Sequence, residues 1–211
     1  MMKKTMLIFV LLSVGLLSAQ TKFTEFKIGI HNPAGAKSGF WGGLSFGRAV
    51  DNNIAVSTSI DIYRSSYTKE TTIHKVEITP GVYENEKVVG LEQSTTLIPL
   101  FFNIQYQGPM SRFINLRITA GLGYEFLWNS FQNYNTKEDV TNFYSAFGWH
   151  AGAGIAYELS KASDVFAQIT YHSGAPSRAR GETEEGLPTH KEIDMSGLGL
   201  RLGIRIYNFG F

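Results

Sequence analysis

Cysteine is absent from the 211-residue sequence, and its charges nearly cancel. Without cysteine the chain has no disulfide framework, no cysteine-based zinc or redox site and no acceptor for an N-terminal lipid. The 19 basic and 18 acidic residues provide no electrostatic footprint for nucleic acid. Any association with a membrane must therefore come from the fold itself.

Long apolar runs are also absent, apart from one near the start. Two lysines precede an apolar run over residues 6–17, which leads to a small-residue site at Ala19. This run is shorter than the ~20 residues of a membrane-spanning helix, and its layout is that of a secretory signal. We therefore predict a signal peptide over residues 1–19, cleaved near Ala19, and one domain over residues 20–211.

Aromatic residues and glycine are both abundant, with 15 Phe, 10 Tyr, 3 Trp and 22 Gly, a combination that favours strands over helices. Apolar residues alternate with small or polar ones, which assigns one residue set to each face of a strand. Many runs reach ten residues, which suits a tilted membrane strand. We predict eight strands, over residues 22–31, 38–50, 53–65, 94–107, 112–127, 143–159, 163–173 and 193–207.

The predicted connections alternate in length. Tight turns are expected at residues 51–53, 108–111 and 160–162, and long polar loops at residues 66–93, 128–142 and 174–192. Short turns at one end and long loops at the other are typical of outer-membrane barrels. The 66–93 segment keeps some alternation, and we expect it to form a β-hairpin above the membrane, with its turn at residues 84–86.

Residue size predicts which face points inward. The set opposite the apolar one consists mainly of Ala, Ser and Gly, which suits a narrow lumen better than a water-exposed surface. A soluble lipocalin-like barrel, with its apolar face inward, is disfavoured for this reason. The predicted fold class is all-β, an eight-stranded antiparallel up-and-down transmembrane β-barrel.

Aromatic residues cluster at both ends of the predicted strands, as in the girdles at the two membrane interfaces. On the loop side they are Phe40, Trp41, Tyr124, Phe126, Trp128, Phe143, Tyr144, Phe147 and Trp149. On the turn side they are Tyr106, Tyr157, Tyr207, Phe209 and Phe211.

Three features carry a family resemblance: "STTLIPLFFNIQY", "RITAGLGYEFLW" and the terminal Phe211. With these, the chain resembles the outer-membrane β-barrel domain proteins of the porin-family type found in Bacteroidetes-like bacteria. The resemblance implies a location in the outer membrane of a Gram-negative cell, with Phe211 as the signal read by the barrel-assembly machinery. Because Phe211 and the apolar set of the last strand differ in parity, we expect a bulge or an early strand end near Asn208.

Charged residues on the lumen face are predicted to form a polar network that closes the lumen. An eight-stranded barrel encloses little more than its own side chains, which favours a filled interior over an open pore. The predicted network consists of Lys27, Asp61, Arg117, Glu125 and Arg201.

Two histidines and several glycines on the lumen face suggest a second feature. His150, His172, Gly152 and Gly154 are candidates for a small cavity on the loop side. The plainer interpretation is that the glycines relieve crowding and let the sheet curve.

No combination of nucleophile and base stands out. His172 and Ser173 are adjacent, so on a strand they face opposite sides and cannot share a proton. We therefore expect no enzyme, no cofactor and no metal, but a barrel that stabilises the membrane or presents loops. The alternative is a narrow channel or a barrel that binds a small solute; a lipid-modifying enzyme is the least favoured. The expected partners are outer-membrane lipid, the barrel-assembly machinery and an extracellular partner at residues 66–93 and 174–192.

Overall fold

A computed structural model describes residues 21–79, 82–134, 137–182 and 188–209. The predicted signal peptide and Phe211 lie outside these residues. The strands are β1 (Lys22–Pro33), β2 (Gly39–Ala49), β3 (Ile54–Thr79), β4 (Val82–Pro109), β5 (Ile114–Asn133), β6 (Glu138–Ser160), β7 (Ser163–Ser173), β8 (Ser177–Glu182), β9 (Pro188–Glu192) and β10 (Gly197–Tyr207). No helix in the described ranges has the length and hydropathy needed to cross a membrane.

Eight of these strands close into a ring. Strands β1 to β7 pair antiparallel in chain order, β7 pairs with β10, and β10 pairs with β1. The closing register places Thr24 opposite Ile206 and Asn32 opposite Leu198. Closure leaves the ring without an open sheet edge, which would be costly within the hydrocarbon region. The predicted eight-stranded up-and-down barrel is confirmed, including the pairing of its first and last strands.

Side chains alternate across the wall of the ring as predicted. On β3, Ser57, Ser59 and Asp61 are buried in the lumen, whereas the neighbouring Ile60 and Ile62 are exposed on the outer surface. On β10, Leu198 and the other apolar residues of its set likewise point outward. An outer surface of Ile, Leu and aromatic side chains is suited to lipid.

Most of the predicted girdle aromatics face outward. Phe40, Trp128 and Phe143 are exposed near the loop-side end of the barrel. Trp41 and Tyr144 were assigned to this girdle wrongly, because they occupy the lumen parity of β2 and β6 and are buried inside the barrel. Tyr207 was assigned to the turn-side girdle wrongly, because it has the lumen parity of β10 and its hydroxyl donates to Asp164 at 2.7 Å.

Strands β3 to β6 continue far beyond the ring. The β3–β4 ladder runs to the pair Thr79–Val82, which confirms the predicted hairpin, but residues 84–86 lie within β4 and not at its turn. Residues 80 and 81, between the two strands, lie outside the described residues. The β5–β6 ladder runs to Asn133–Glu138, so the prediction of a loop over residues 128–142 was wrong. The polar residues of this segment form strand because neighbouring strands supply hydrogen-bond partners for their backbone groups.

The segment over residues 174–192 also departs from the predicted loop. Strands β8 and β9 form a hairpin, and β8 joins β6 through the pair Ser145–Ser177. The last ring strand also starts later than predicted, since β10 begins at Gly197 rather than at residue 193.

The predicted early end of the last strand near Asn208 is confirmed. Strand β10 ends at Tyr207, and Asn208 has a positive φ of 56°. Asparagine tolerates this left-handed conformation better than most residues. The change of direction brings Phe209 onto the outer surface, where its ring centroid lies 6.3 Å from that of Phe26.

Candidate functional site

The turn-side half of the lumen is organised around Glu25 on β1. Arg117 donates to its Oε1 at 2.8 Å, and Arg205 donates to the same oxygen from Nε at 2.8 Å. The Gln105 amide donates to the other carboxylate oxygen at 3.4 Å. All of these side chains are buried. Glu25 thus links strands on opposite walls of the ring and fills its centre.

Aromatic rings and further polar groups support this cluster. The Arg117 guanidinium lies 3.9 Å from the centroid of the Phe166 ring and donates to Gln168 at 3.1 Å. Arg205 also donates to Gln107 at 3.0 Å. Cation–π stacking and hydrogen bonds from the guanidinium nitrogens reduce the cost of burying these groups.

A second charged cluster is centred on Asp61. Lys27 Nζ lies 2.8 Å from one carboxylate oxygen, and an Arg201 nitrogen lies 3.7 Å from the other. Gly43 stands between Lys27 and Asp61 in the register of β1, β2 and β3. A Cβ at Gly43 would lie 2.6 Å from Asp61 Cγ, so the glycine provides the space for this ion pair.

The five residues of the predicted network are all in the lumen, but they are not all in one cluster. Lys27, Asp61 and Arg201 come together, whereas Arg117 pairs with Glu25. Glu125 lies apart, with its Oε1 3.1 Å from His172 Nε2. Glu25 was missed by the sequence analysis, although it shares the lumen parity of Lys27 two residues later.

The candidate cavity at the two histidines is occupied by side chains. His150 and His172 are opposite each other on β6 and β7 and are both buried. The His150 ring packs on Phe101, with 4.7 Å between ring centroids. A Cβ at Gly152 would lie 2.7 Å from Thr170 Cγ2. A Cβ at Gly154 would lie 2.5 Å from Gln168 Cα. The cavity interpretation is therefore corrected: these glycines make room for close packing.

An apolar layer lies on the loop side of the charged clusters. It consists of Trp41, Tyr63, Leu97, Leu127, Tyr144 and Met195, all buried. The sequence analysis missed this layer because its members are spread over six segments of the chain. It separates the polar lumen from the extracellular space.

Met195 reaches this layer from the segment that precedes β10. Its carbonyl is bonded to His31 Nε2 at 3.0 Å, and its N–H donates to Gly174 at 2.8 Å. Gly35 N–H donates to the carbonyl of Asp194 at 2.6 Å. Contacts on both sides thus hold this segment over the lumen.

Two cavities flank the filled lumen. One, of about 360 Å³, lies at the turn-side end and reaches Gln107, Arg205 and Tyr207. The other, of about 280 Å³, lies on the loop side, where the segment containing Lys37 faces Tyr67 and Gln93 on β3 and β4. Among the described residues there is no group of three or more His, Asp or Glu side chains able to hold a metal ion.

The ring, the outward apolar surface and the polar lumen define an integral outer-membrane β-barrel. The family model described as "Outer membrane protein beta-barrel domain" matches residues 9–209, and the chain belongs to this family. The protein is accordingly an outer-membrane protein. No curated protein sequence matches the chain significantly.

Solved structures of outer-membrane proteins share the fold. A major outer membrane protein from Thermus thermophilus is 14% identical, with a TM-score of 0.56 over 90% of this chain and 99% of that chain. OprG from Pseudomonas aeruginosa is 13% identical, with a TM-score of 0.50 over 90% of this chain and 97% of that chain. At such identities the likeness concerns the fold alone.

Proposed function

We propose that this protein is a non-enzymatic barrel with a closed lumen, and that its extracellular sheet presents a binding surface to the exterior. The observation that carries this proposal is the unequal length of the ring strands. Strands β1, β2, β7 and β10 have 11 or 12 residues, whereas β3 to β6 have 20 to 28. Eleven tilted residues are enough to span an outer membrane.

The additional residues of β3 to β6 form a sheet above the membrane, which is called the wall below. Residues 66–79 of β3 alone add about 45 Å of strand at ~3.3 Å per residue. The pairing of β3 with β2 ends at Arg64, so beyond this residue β3 is the outermost strand on that side of the wall. A sheet above the membrane is surrounded by water and can offer both a face and an edge to a partner.

The closed lumen is supported by three successive layers: the Glu25 cluster, the Asp61 cluster and the apolar layer. Conduction through this path would require the charged clusters to separate and the apolar layer to open. The narrow-channel alternative is therefore disfavoured, although the turn-side cavity offers it an entrance. Planar-bilayer recordings test it directly: we expect no steady single-channel conductance, and a stable open channel would contradict the closed lumen.

A non-enzymatic role is supported by the surroundings of the histidines. His172 is fully buried and its Nε2 faces Glu125, beneath the apolar layer. Ser173, the adjacent hydroxyl, lies on the opposite parity of β7. No extracellular substrate has access to the imidazole in this arrangement.

The test of the presenting role is to replace residues 70–88 by Asn-Gly, a two-residue turn suited to a hairpin. We expect the variant to insert and to keep the heat-modifiable gel mobility of a folded barrel, because the ring pairs are untouched. Cells that display the variant should lose adhesion to surfaces and to other cells, compared with cells that display the full-length chain. Unchanged adhesion would mean that the wall has no presenting role.

A further inference from the structure

We propose that the loop-side cavity is a saccharide site that takes a sugar carrying an acidic group, such as a uronate or a phosphorylated hexose. This proposal rests on the presenting role proposed above and names a class of ligand for the wall. The cavity has a volume of about 280 Å³, just below the range of about 300–1,000 Å³ for small-molecule sites. It therefore has room for roughly one sugar unit.

The lining of the cavity matches the hydrogen bonding of a sugar. Ser65, Thr95 and Gln93 contribute groups that can both donate and accept, as sugar hydroxyls do. Tyr67 adds an aromatic body with a polar tip, and it is partly exposed. Such a combination pairs with vicinal hydroxyls and with the apolar C–H face of a pyranose ring.

Lys37 gives the site a preference for an anion. Its Nζ lies 4.3 Å from the centroid of the Tyr67 ring, which holds the ammonium group at the cavity. No acidic side chain of the described ranges lines the cavity. Across the described residues, no carboxylate oxygen lies within 4.0 Å of this ammonium. An ammonium group with such surroundings can complete its hydrogen bonds with a carboxylate or phosphate ligand.

The site is held in place before any ligand arrives. The Tyr63 hydroxyl donates to the backbone carbonyl of Lys37, and Gly35 N–H donates to Asp194. A Cβ at Gly35 would lie 2.6 Å from that same Asp194 oxygen, so this close approach requires glycine. Across the wall, the Gln93 amide donates to Asn129 at 3.3 Å. Rigid positioning of this kind lowers the entropic cost of binding.

The position of the cavity limits where its ligand comes from. Tyr63 and Leu97, members of the apolar layer, lie just below Ser65 and Thr95 on β3 and β4, so entry is from the extracellular side. Lys37 also lies three residues before the girdle residue Phe40. The acidic sugar can therefore belong to a soluble polysaccharide or to the headgroup of a glycolipid in the outer leaflet.

Calorimetry on the full barrel in detergent tests the proposal with two probes, trigalacturonate and the neutral maltotriose. We expect measurable binding of trigalacturonate and at least about tenfold weaker binding of maltotriose. Lys37→Gln and Tyr67→Ala should each weaken trigalacturonate binding by about tenfold or more, since each removes one strong contact. Lys161→Gln is the matched control, because it removes the same charge from an exposed turn at the opposite end of the barrel.

The two sources are distinguished in nanodiscs with and without a glucuronosyl diacylglycerol. Weaker trigalacturonate binding in the glycolipid discs identifies the headgroup as a competing ligand, and unchanged binding identifies the soluble polysaccharide. Equal binding of the two trisaccharides, absence of trigalacturonate binding, or unchanged binding by the Lys37 variant would overturn the saccharide site. If trigalacturonate fails to bind while the replacement of residues 70–88 abolishes adhesion, the saccharide site alone fails. If it binds while that replacement has no effect, the presenting role alone fails.

Discussion

Neutralising Glu25 tests whether the charged clusters hold the barrel together. Arg117 and Arg205 lie 2.8 and 2.7 Å from one oxygen of this carboxylate, and all three side chains are buried. Glu25→Gln keeps the size of the side chain and one accepting oxygen. It removes the negative charge and leaves two buried guanidinium groups without their shared counter-ion.

The expected magnitude follows from the cost of an unpaired buried charge. Breaking a buried ion pair by removing one partner costs about 3–5 kcal/mol. For a chain of this size, each kcal/mol changes the midpoint of thermal unfolding by about 2–4 °C, so we expect a decrease of roughly 6–20 °C. The decrease should be smaller in the double variant Glu25→Gln with Arg205→Met, because one of the two uncompensated cations is then absent.

The assay is unfolding by heat and by guanidinium in detergent micelles, followed by gel mobility and tryptophan fluorescence. Glu158→Gln is the matched control, since Glu158 lies exposed at the turn-side end of β6 and undergoes the same chemical change. Its effect should be within about 0.5 kcal/mol. If Glu25→Gln and Glu158→Gln prove equally stable, the Glu25 cluster contributes nothing to stability and the reasoning is refuted.

Two further substitutions address the apolar layer and the lipid-facing surface. Met195→Ala should lower the free energy of unfolding by about 2–5 kcal/mol in denaturant titrations, whereas Met110→Ala, at an exposed turn position, should not. A Met195→Ala variant that is as stable as the unsubstituted chain would contradict the close packing of this layer. Leu122→Arg, on the outer surface, should cost about 2–4 kcal/mol in denaturant titrations, and Met110→Arg about 0–1 kcal/mol; equal costs would contradict the assigned membrane position.

The sequence by itself determined the fold class and the facing of the strands. Alternation with a period of two requires no knowledge of neighbouring strands, because each residue on a strand points opposite to the one before it. The early end of the last strand at Asn208 followed in the same way, from the mismatch in parity between Ile206 and Phe209. The identity of the lumen residues could therefore be predicted, including the five members of the predicted network.

Only the tertiary structure decided which lumen residues meet. The alternation along β5 predicts that Arg117 points inward. Whether it reaches Glu25 or Asp61 depends on how the ring closes and how its strands are offset along the barrel axis. Trp41 and Tyr144 are a different case: they were assigned to the girdle from their positions at strand ends, although their parity, readable in the sequence, turned them inward.

The extent of the sheet above the membrane was likewise decided by the tertiary structure. Residues 128–142 are polar and resemble a loop when read alone, yet most of them form strand because β4, β5 and β6 lie side by side and satisfy one another's backbone groups. Met195 belongs to the apolar layer only because the segment before β10 is bonded to two distant loops. Such contacts join parts of the chain that are far apart in sequence, and local patterns contain no record of them.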